Sequence, residues 1–463
     1  MAARWRTAFG VIDAVREAAG PDLIVGLRLP GDERVPGGLG VEDMQDVAAR
    51  LAATGKLDYL NVIVGTNYDR IQRMEHWPPT PAPHGLFVPL AAGIKRHLVK
   101  NGEAIPVFTT GRITDPAMAE AVLARGDADM VGMTRAHISD PDLVAKLKAG
   151  RADDIRPCVG ANLCIAQATE GKPLRCFHNP LAAREHAWGP AQPSPDPRHV
   201  VVIGGGPAGL EAARVAAQRG HRVTLFEAGP ALGGQLRLWS RAPLTREFAK
   251  TLSWFEAQLT RLQVRVELGH AVAPEEIATI EADAVILATG ARPAPRAPIP
   301  GDDSTGIALR SPWEVLENPP SGQHVVLADE GGGRTGLAAI DAVLDANRVT
   351  IVSTDMAIGE LINPNLRTPL YQRFLGAGAA FRPGEALLRL EGRVAFTRNI
   401  YSGGEARIEG VDTLIDWRGN RVVDGLQAAI EARGLDHAVI GDCLAPRQVH
   451  IAIAEGALAA RGV

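Results

Sequence analysis

A glycine-rich turn between an apolar run and a helix-like run constrains the fold of this chain more than any other feature. Residues 204–209 read GGGPAG, which matches the pattern GxGxxG, and Glu227 ends the next apolar run 18 residues after Gly209. In this context Gly204 allows a tight turn, Gly206 lets the backbone approach a pyrophosphate, and Gly209 lets a helix pack closely on a strand. Glu227 is placed to bind a ribose hydroxyl, so the pattern predicts a dinucleotide-binding βαβ unit. The alternative is a glycine-rich turn that binds no ligand.

A second turn of the same type lies further along the chain. Residues 331–336 read GGGRTG and follow the apolar run His324–Ala328. Asp329 and Glu330 put negative charge immediately before this turn, where a phosphate would have to bind. The next run, Val349–Ser353, ends without the acidic residue expected for NAD and without an arginine for a 2′-phosphate. Binding of a pyridine nucleotide and a fold that only packs both stay open.

The first 150 residues show a different, repeated βα pattern. Apolar runs suited to strands begin near residues 24, 58, 105 and 129, and they alternate with runs of helical period after an opening helix at Trp5–Ala19. A closed eight-stranded barrel needs ~250 residues, whereas only about 150 precede the cysteines described below. We therefore expect the last four strands of a TIM-type barrel. The exposed edge of such a half barrel would be covered either by a separate subunit or by an N-terminal half that is missing here.

The predicted fold class is thus α/β, a partial (βα) TIM-type barrel followed by a Rossmann-like fold with two nested dinucleotide-binding units. Prolines at residues 190, 193, 195 and 197 forbid helix and central strand and mark a linker. The predicted segments are a partial barrel at 1–150, a cysteine segment at 151–187, the linker at 188–198, the first part of a dinucleotide-binding domain at 199–310, a nested NAD(P)-type domain at 311–418 and the second part of the outer domain at 419–463.

Charge and composition exclude several classes of partner. The 463 residues carry 49 basic and 53 acidic side chains, a net charge of −4. This balance provides no basic field that would hold nucleic acid or an anionic membrane surface. The apolar runs are far shorter than the ~20 residues that span a bilayer, and the first arginines precede no signal-peptide core. We therefore expect a cytoplasmic protein without nucleic-acid or membrane partners.

Three further short motifs favour a flavin over a nicotinamide at the first turn. They are Gly233–Gly234–Gln235 after the acidic strand end, Ala288–Thr289–Gly290 at the close of a strand, and Gly441–Asp442 near the C-terminus. Together with the first turn they resemble the flavoproteins that carry two dinucleotide-binding domains. The resemblance implies FAD, with Asp442 on the ribitol and with Gln235, Thr289 and Gly290 beside the cofactor.

Four cysteines are too few for a disulfide scaffold, yet Cys158, Cys164 and Cys176 fall within one short stretch. The stretch resembles the iron–sulfur segment of the trimethylamine dehydrogenase and 2,4-dienoyl-CoA reductase family. Ala161 stands where that family has a second cysteine, so three of the four thiolates that usually hold a 4Fe–4S cluster are present. The alternatives are an open iron, a three-iron cluster, a fourth ligand such as His178 or Asn162, and a loop without a cluster.

With that family in view, the N-terminal region corresponds to its FMN-binding barrel. The resemblance places Arg28 on the FMN ring and assigns the FMN phosphate to Gly111, Arg112, Gly132 and Arg135, which follow the last two predicted strands. We expect FMN to bind weakly or to be lost, because much of the ring site belongs to barrel strands without a counterpart here. The alternatives are a surface position for Arg28 and salt bridges to Asp115 or Asp140 for the other two arginines.

The resemblance implies an oxidoreductase that passes electrons among FMN, an iron–sulfur cluster and FAD. The segment from Gly441 to Arg447 resembles the amine branch, particularly N-methyl amino acid demethylases. One alternative is an inactive or subunit-dependent fragment that binds FAD only. Another is an NAD(P)H-dependent reductase of conjugated enoyl compounds or of free flavin. The substrate is expected to be a small amine or enoyl compound; the catalytic residues stay unknown, and a homo-oligomer is compatible with the sequence.

Overall fold

The computed structural model describes residues 2–302 and 306–463, which divide into two compact units. Unit 1 consists of the chain up to Pro141 together with Gly160–Asn162. Unit 2 consists of Asp142–Val159 and of the chain from Leu163 onward.

Unit 1 contains a four-stranded parallel sheet in the order β1-β2-β3-β4. Its elements are α1 (Ala2–Ala19), β1 (Gly26–Pro30), α2 (Val41–Ala52), β2 (Tyr59–Ile63), α3 (Arg70–His76), α4 (Val88–Lys100), β3 (Val107–Thr109), α5 (Pro116–Ala124), β4 (Met130–Val131) and α6 (Thr134–Ser139). Sequential order with helical connections is the arrangement of consecutive βα units in a barrel. The four predicted strands and the predicted partial barrel are therefore confirmed.

The two faces of this sheet differ in chemistry, as the alternation of side chains along a strand requires. Leu29, Leu60, Val62 and Val107 point to one face and belong to a buried core shared with α2 and α4. The opposite face carries a row of side chains that the strand register sets side by side, namely Arg28, Asn61 and Phe108. This row runs across the face that is interior in a closed barrel.

Unit 2 begins with short helices. They are α7 (Leu143–Lys148), α8 (Leu163–Thr169) and α9 (Glu185–Trp188), with a 3-10 turn at Ala152–Asp154. The first residue of the predicted linker, Trp188, ends α9, and the rest of the linker carries no regular element up to His199.

Two five-stranded parallel sheets form the body of unit 2. The first has the order β19-β8-β5-β6-β7 and includes β5 (His199–Ile203), α10 (Pro207–Gln218), β6 (Arg222–Glu227), α11 (Gly234–Trp239), α12 (Ala249–Arg261), β7 (Arg265–Leu268), β8 (Ala284–Leu287), α16 (Gln427–Ala432), β19 (Asp436–Val439) and α17 (Val449–Gly462). The second has the order β10-β17-β11-β12-β13 and includes β10 (Ala308–Arg310), α13 (Pro312–Glu317), β11 (His324–Asp329), α14 (Arg334–Val343), β12 (Arg348–Ser353), α15 (Pro364–Gly376), β13 (Ala380–Pro383) and β17 (Thr413–Trp417). Both predicted βαβ units are present, so the Rossmann-like part of the predicted fold is confirmed.

Smaller elements complete unit 2. The strands β14 (Glu385–Glu391), β15 (Val394–Asn399) and β16 (Glu405–Glu409) form an antiparallel meander. The strands β9 (Ala291–Pro293) and β18 (Asn420–Val422) pair antiparallel, and this ribbon joins the chain leaving the first sheet to the chain returning from the second. Within the residues that the structure describes, no helix has both the length and the apolar character needed to cross a lipid bilayer.

Candidate functional site

The glycines of the first turn serve two different purposes. Gly204 has a φ of +112°, and a β-carbon there would lie 2.2 Å from the carbonyl oxygen of Ala288. A β-carbon at Gly209 would lie 1.9 Å from the carbonyl oxygen of Gly204. At Gly206, which caps α10, a β-carbon would meet no described atom within 4 Å. Gly204 and Gly209 are therefore required for packing, whereas the space around a β-carbon at Gly206, at the N-terminus of α10, is free of other described residues.

Glu227 ties this turn to the loop that follows β6. Its Oε2 accepts the backbone N–H of Gly205 at 2.7 Å, and its Oε1 accepts that of Gly229 at 2.6 Å. The carboxylate is partly exposed, and a carboxylate has about four acceptor positions, so capacity for a ribose hydroxyl remains.

The predicted glycine pair after β6 docks directly on the first turn. The backbone N–H of Gly233 donates to the carbonyl oxygen of Gly205 at 2.8 Å. Both Gly233 and Gly234 have positive φ, and a β-carbon at Gly234 would lie 3.3 Å from the Cα of Gly206. The two segments thus form one continuous backbone surface at the start of α10 and α11.

Gln235 joins the other predicted cofactor residues through its side chain. Its Nε2 donates to Oδ2 of Asp442 at 2.9 Å, and its Oε1 accepts Nδ2 of Asn420 at 2.9 Å. The second carboxylate oxygen of Asp442 accepts the backbone N–H of Arg447 at 3.0 Å. Burial raises the pKa of Asp442 above its ordinary value, against the opposing effect of these donors. The structure therefore brings together two predicted residues, Gln235 and Asp442, that are far apart in sequence.

The Ala288–Thr289–Gly290 turn closes β8 next to the same region. The hydroxyl of Thr289 donates to the carbonyl oxygen of Val423, and the backbone N–H of Val423 donates to the carbonyl oxygen of Gly290 at 3.0 Å. These bonds hold the β9–β18 ribbon, and with it Asn420, at the edge of the predicted FAD site.

In the second glycine turn, the side chain of an aspartate of this chain already accepts hydrogen bonds from the backbone. Oδ1 of Asp329 accepts the backbone N–H groups of Gly331 and Gly332 at 3.1 and 2.9 Å. A β-carbon at Gly332 would lie 2.7 Å from a carboxylate oxygen of Asp355. Burial raises the pKa of Asp329 to about 6, and the nearby charge of Asp355 adds to this effect. Two of the turn's amides are therefore already bonded to a carboxylate, which is unfavourable for a diphosphate.

The three cysteines of the predicted iron–sulfur segment belong to unit 2. Cys164 is buried, whereas Cys158 and Cys176 are partly exposed. Across residues 2–302 and 306–463, no group of three or more His, Cys, Asp or Glu side chains is arranged to hold a metal ion. Of the suggested fourth ligands, Asn162 bonds instead to the carbonyl oxygen of Trp77 and to Arg135. The described residues therefore do not show the iron–sulfur part of the prediction, and no chemical step is assigned to a cluster.

A buried ionic network links this cysteine segment to the helix behind the first glycine turn. The carboxylate of Glu211, on α10, has no solvent exposure and accepts Nε and Nη2 of Arg214, each at 2.8 Å. Nη2 of Arg156 lies 3.5 Å from the same carboxylate, and its Nη1 donates to the carbonyl oxygen of His178 at 2.6 Å. The guanidinium of Arg156 also stacks on the Trp254 ring at 4.4 Å. The network connects Arg156, two residues before Cys158, and His178, two residues after Cys176, to α10.

In unit 1, the four residues assigned to the FMN phosphate follow two neighbouring strands. Gly111 has a φ of +100° and packs against the ring of Phe87, and the next residue, Arg112, is buried with its guanidinium beside Gly160. After β4, Gly132 donates its backbone N–H to the carbonyl oxygen of Thr109 at 2.8 Å. Arg135 donates to the carbonyl oxygen of Pro78 at 2.7 Å.

Arg28 does not share the end of the sheet with this group. It lies in the middle of β1, exposed, opposite Asn61 of β2. Oδ1 of Asn61 is shielded from solvent and makes no hydrogen bond within the described part of the chain.

Comparison with known proteins decides the family. Residues 198–437 match the pyridine nucleotide-disulphide oxidoreductase family, and residues 1–154 match the NADH:flavin oxidoreductase / NADH oxidase family. The chain is 35% identical to N,N-dimethylglycine/sarcosine dehydrogenase of Chromohalobacter salexigens, over 97% of this chain and 70% of that protein. This chain belongs to the trimethylamine dehydrogenase and 2,4-dienoyl-CoA reductase family.

A further relative and a solved structure are also similar to this chain. A probable N-methylproline demethylase of Rhizobium meliloti is 35% identical to this chain. The match covers 78% of this chain and 53% of that protein. Histamine dehydrogenase from Rhizobium sp. 4-9 has the same fold, with a TM-score of 0.90 at 24% identity over 99% of this chain and 68% of that one. The family consists of flavin-dependent oxidoreductases, as the sequence predicts.

Family membership was predictable from local motifs, but two features of the sites were not. Asn420 follows no recognisable motif, and its contact with Gln235 spans 185 residues. Glu211 gave a weak signal in the sequence, because this charged residue stands between two apolar residues, Leu210 and Ala212. Both are fully buried in the structure. An acidic residue on the apolar side of a helix usually has a buried partner, which the sequence alone does not name.

Proposed function

We propose that this chain binds FAD in unit 2 and acts in the flavin-dependent oxidation of N-methylated amino acids or closely related small amines. The observation that supports FAD most strongly is the open space at Gly206, between two glycines whose β-carbons would strike backbone atoms. The amine class is supported by the similarity to the dimethylglycine/sarcosine dehydrogenase and to the probable N-methylproline demethylase.

The residues that would hold FAD form one continuous set in unit 2. Gly206 would admit the pyrophosphate at the start of α10, where Gly204 and Gly209 provide the tight turn and the close packing, and Glu227 would bind a ribose hydroxyl. At the other end of the nucleotide, Asp442 would bind the ribitol, with Gln235 and the Thr289–Gly290 turn beside it. When bound, an oxidised flavin would accept the two electrons released by oxidation of a C–H bond adjacent to nitrogen.

The overall reaction balances without any other oxidant. An N-methyl amine, water and the oxidised flavin give the demethylated amine, formaldehyde and the two-electron-reduced flavin. No acid or base of this chain is assigned to the reaction.

For unit 1 we propose the FMN role that the family resemblance implies. Arg112 and Arg135, with the backbone of Gly111 and Gly132, would hold the phosphate, because they follow adjacent parallel strands at the end where barrels bind phosphate. Arg28 would contact the flavin ring from the face of the sheet that carries Arg28, Asn61 and Phe108, which is opposite to the face buried against α2 and α4.

The division of the chain into the six segments predicted from the sequence is also part of this proposal.

A reductase that takes electrons from NAD(P)H is the second reading, and the second glycine turn argues against it. The amides of Gly331 and Gly332 donate to Asp329, and Asp355 adds a second carboxylate at the same turn. A pyridine nucleotide would have to displace one negative charge and tolerate another.

Anaerobic reduction of the purified flavoprotein tests the proposed substrate class. Dimethylglycine, sarcosine or N-methylproline should bleach the flavin absorbance and release formaldehyde in equal amount. Reduction by NADH or NADPH, with no response to any of these amines, would favour the reductase reading. The test uses the chain together with any partner that co-purifies with it.

A further inference from the structure

A buried acceptor atom beside the predicted FAD site has no partner. Oδ1 of Asn420 is shielded from solvent and makes no hydrogen bond within residues 2–302 and 306–463. Its backbone is held by the β9–β18 ribbon, where Asn420 pairs with Pro293 and the carbonyl of Gly419 accepts the N–H of Ala294 at 2.9 Å. Leaving such an acceptor unpaired costs free energy, so the atom is placed for a donor from outside the chain.

The orientation of the Asn420 amide follows from the hydrogen bonds of Asp442. Both carboxylate oxygens accept, Oδ2 from Nε2 of Gln235 and Oδ1 from the backbone N–H of Arg447, so the group of Gln235 that faces Asp442 is its Nε2. Oε1 of Gln235 is then at the far end and requires a donor, which is Nδ2 of Asn420. Oδ1 of Asn420 is consequently the atom left over, and a ligand that meets it must bring an N–H or O–H.

We propose that Asn420 is a flavin-binding residue: its Oδ1 accepts a hydrogen bond from the bound nucleotide, while its Nδ2 holds Gln235 in place to donate to Asp442. This inference rests on the proposed FAD site. The flavin end of the nucleotide offers two kinds of donor, the N3–H of the oxidised isoalloxazine and the ribityl hydroxyls. Asn420 therefore recognises the flavin end of FAD, remote from the Glu227 end.

Binding of FAD to flavin-stripped full-length protein tests this inference. Asn420→Ala removes both polar groups, and Asn420→Asp keeps the shape and the acceptor but cannot donate to Gln235. Asn318→Asp is the matched control, since Asn318 is exposed at the end of α13 in the same unit. We expect Asn420→Ala to raise the Kd of FAD roughly tenfold or more, Asn420→Asp to raise it less, and the control to leave it unchanged.

A flavin analogue separates binding from folding. Titration of the unmodified protein with FAD methylated at N3 removes the N3–H donor without any change to the protein. Weaker binding of the analogue by the unmodified protein, with this preference lost in Asn420→Ala, identifies N3–H as the donor. Equal binding of both nucleotides, with Asn420→Ala weakening both, identifies a ribityl hydroxyl. Far-UV circular dichroism of each variant reports the fold.

Two results contradict the inference in different ways. If Asn420→Ala, Asn420→Asp and the control all bind FAD as the unmodified protein does, Asn420 is not a flavin ligand, although the FAD site stands. If the unmodified protein binds no FAD, the proposed function itself fails, and the inference fails with it.

Discussion

Gly204 and Gly209 are in direct backbone contact, since a β-carbon at Gly209 would lie 1.9 Å from the carbonyl oxygen of Gly204. A β-carbon at Gly206, between them in sequence, would meet no other described residue within 4 Å. The same methyl group added at Gly209 and at Gly206 should therefore have opposite consequences for the fold and for the ligand.

Gly209→Ala should lower the free energy of unfolding of the flavin-free protein by about 1–3 kcal/mol, because the added atom overpacks a fixed contact. Gly206→Ala should change it by less than about 1 kcal/mol, the range of an N-cap substitution, but should weaken FAD binding. Urea unfolding and FAD titration of both variants measure this. Equal destabilisation by the two substitutions would show that the turn has no room for a ligand.

Removal of Arg214 should expose the cost of the buried Glu211 charge. Arg214→Met removes the two shortest contacts that the structure describes for that carboxylate and leaves the longer one to Arg156, so we expect a loss of about 3 kcal/mol in the free energy of unfolding. Glu211→Gln introduced together with Arg214→Met removes the unpaired charge and should recover part of the loss. A double variant no more stable than Arg214→Met would mean that Arg214 stabilises the fold by packing alone.

The same pair predicts a dependence of stability on pH. Burial by itself would raise the pKa of Glu211, but Arg214 and Arg156 outweigh it and leave the pKa below its ordinary value. A carboxyl with a lowered pKa in the folded state contributes stability above its unfolded pKa, and that stability is lost as the pH falls through the folded pKa. Between pH 6 and pH 3, the free energy of unfolding should therefore fall less in Glu211→Gln than in the unmodified protein. The difference should roughly equal the contribution of the Glu211–Arg214 pair to that free energy.

Asp329 should make the stability depend on pH in the opposite direction. Its pKa is raised to about 6, so the folded state binds a proton that the unfolded state does not, and stability falls as the pH rises from about 4 to 6. Asp329→Asn keeps an acceptor for the Gly331 and Gly332 amides and should stabilise the protein at pH 8 by on the order of 2 kcal/mol. Thermal unfolding checks this, with exposed Asp424→Asn as the control. A destabilised Asp329→Asn protein at pH 8 would contradict the pKa direction.

The iron–sulfur prediction can be tested at the position where the family has a cysteine. Ala161→Cys should raise the iron and sulfide content after anaerobic reconstitution, because it restores a fourth thiolate at the family spacing. Ala168→Cys adds a thiol to an exposed site in the same segment and should have no such effect. If the unmodified protein already holds four irons stably in air, a fourth ligand exists and the argument from spacing is wrong.

Local patterns were sufficient to predict the fold and the family, because each element depends on short-range rules. The turn at residues 204–209, the start of α10 and the end of β6 at Glu227 follow from glycine conformation and apolar runs, and the four strands of unit 1 begin within two residues of their predicted positions. Asn420 and the pair of Arg156 with Glu211 could not be predicted in this way. They depend on side chains that meet only after the sheets have formed.

The most direct test of the account is the identity of the nucleotide in the purified protein. Acid extraction followed by chromatography should release FAD, because Gly206, Glu227 and Asp442 provide for both ends of that cofactor. The Gly206→Ala variant should lose this nucleotide while it keeps the far-UV circular dichroism of the unmodified protein. Recovery of ADP alone, or of no nucleotide from a folded protein that also fails to bind added FAD, would contradict the account.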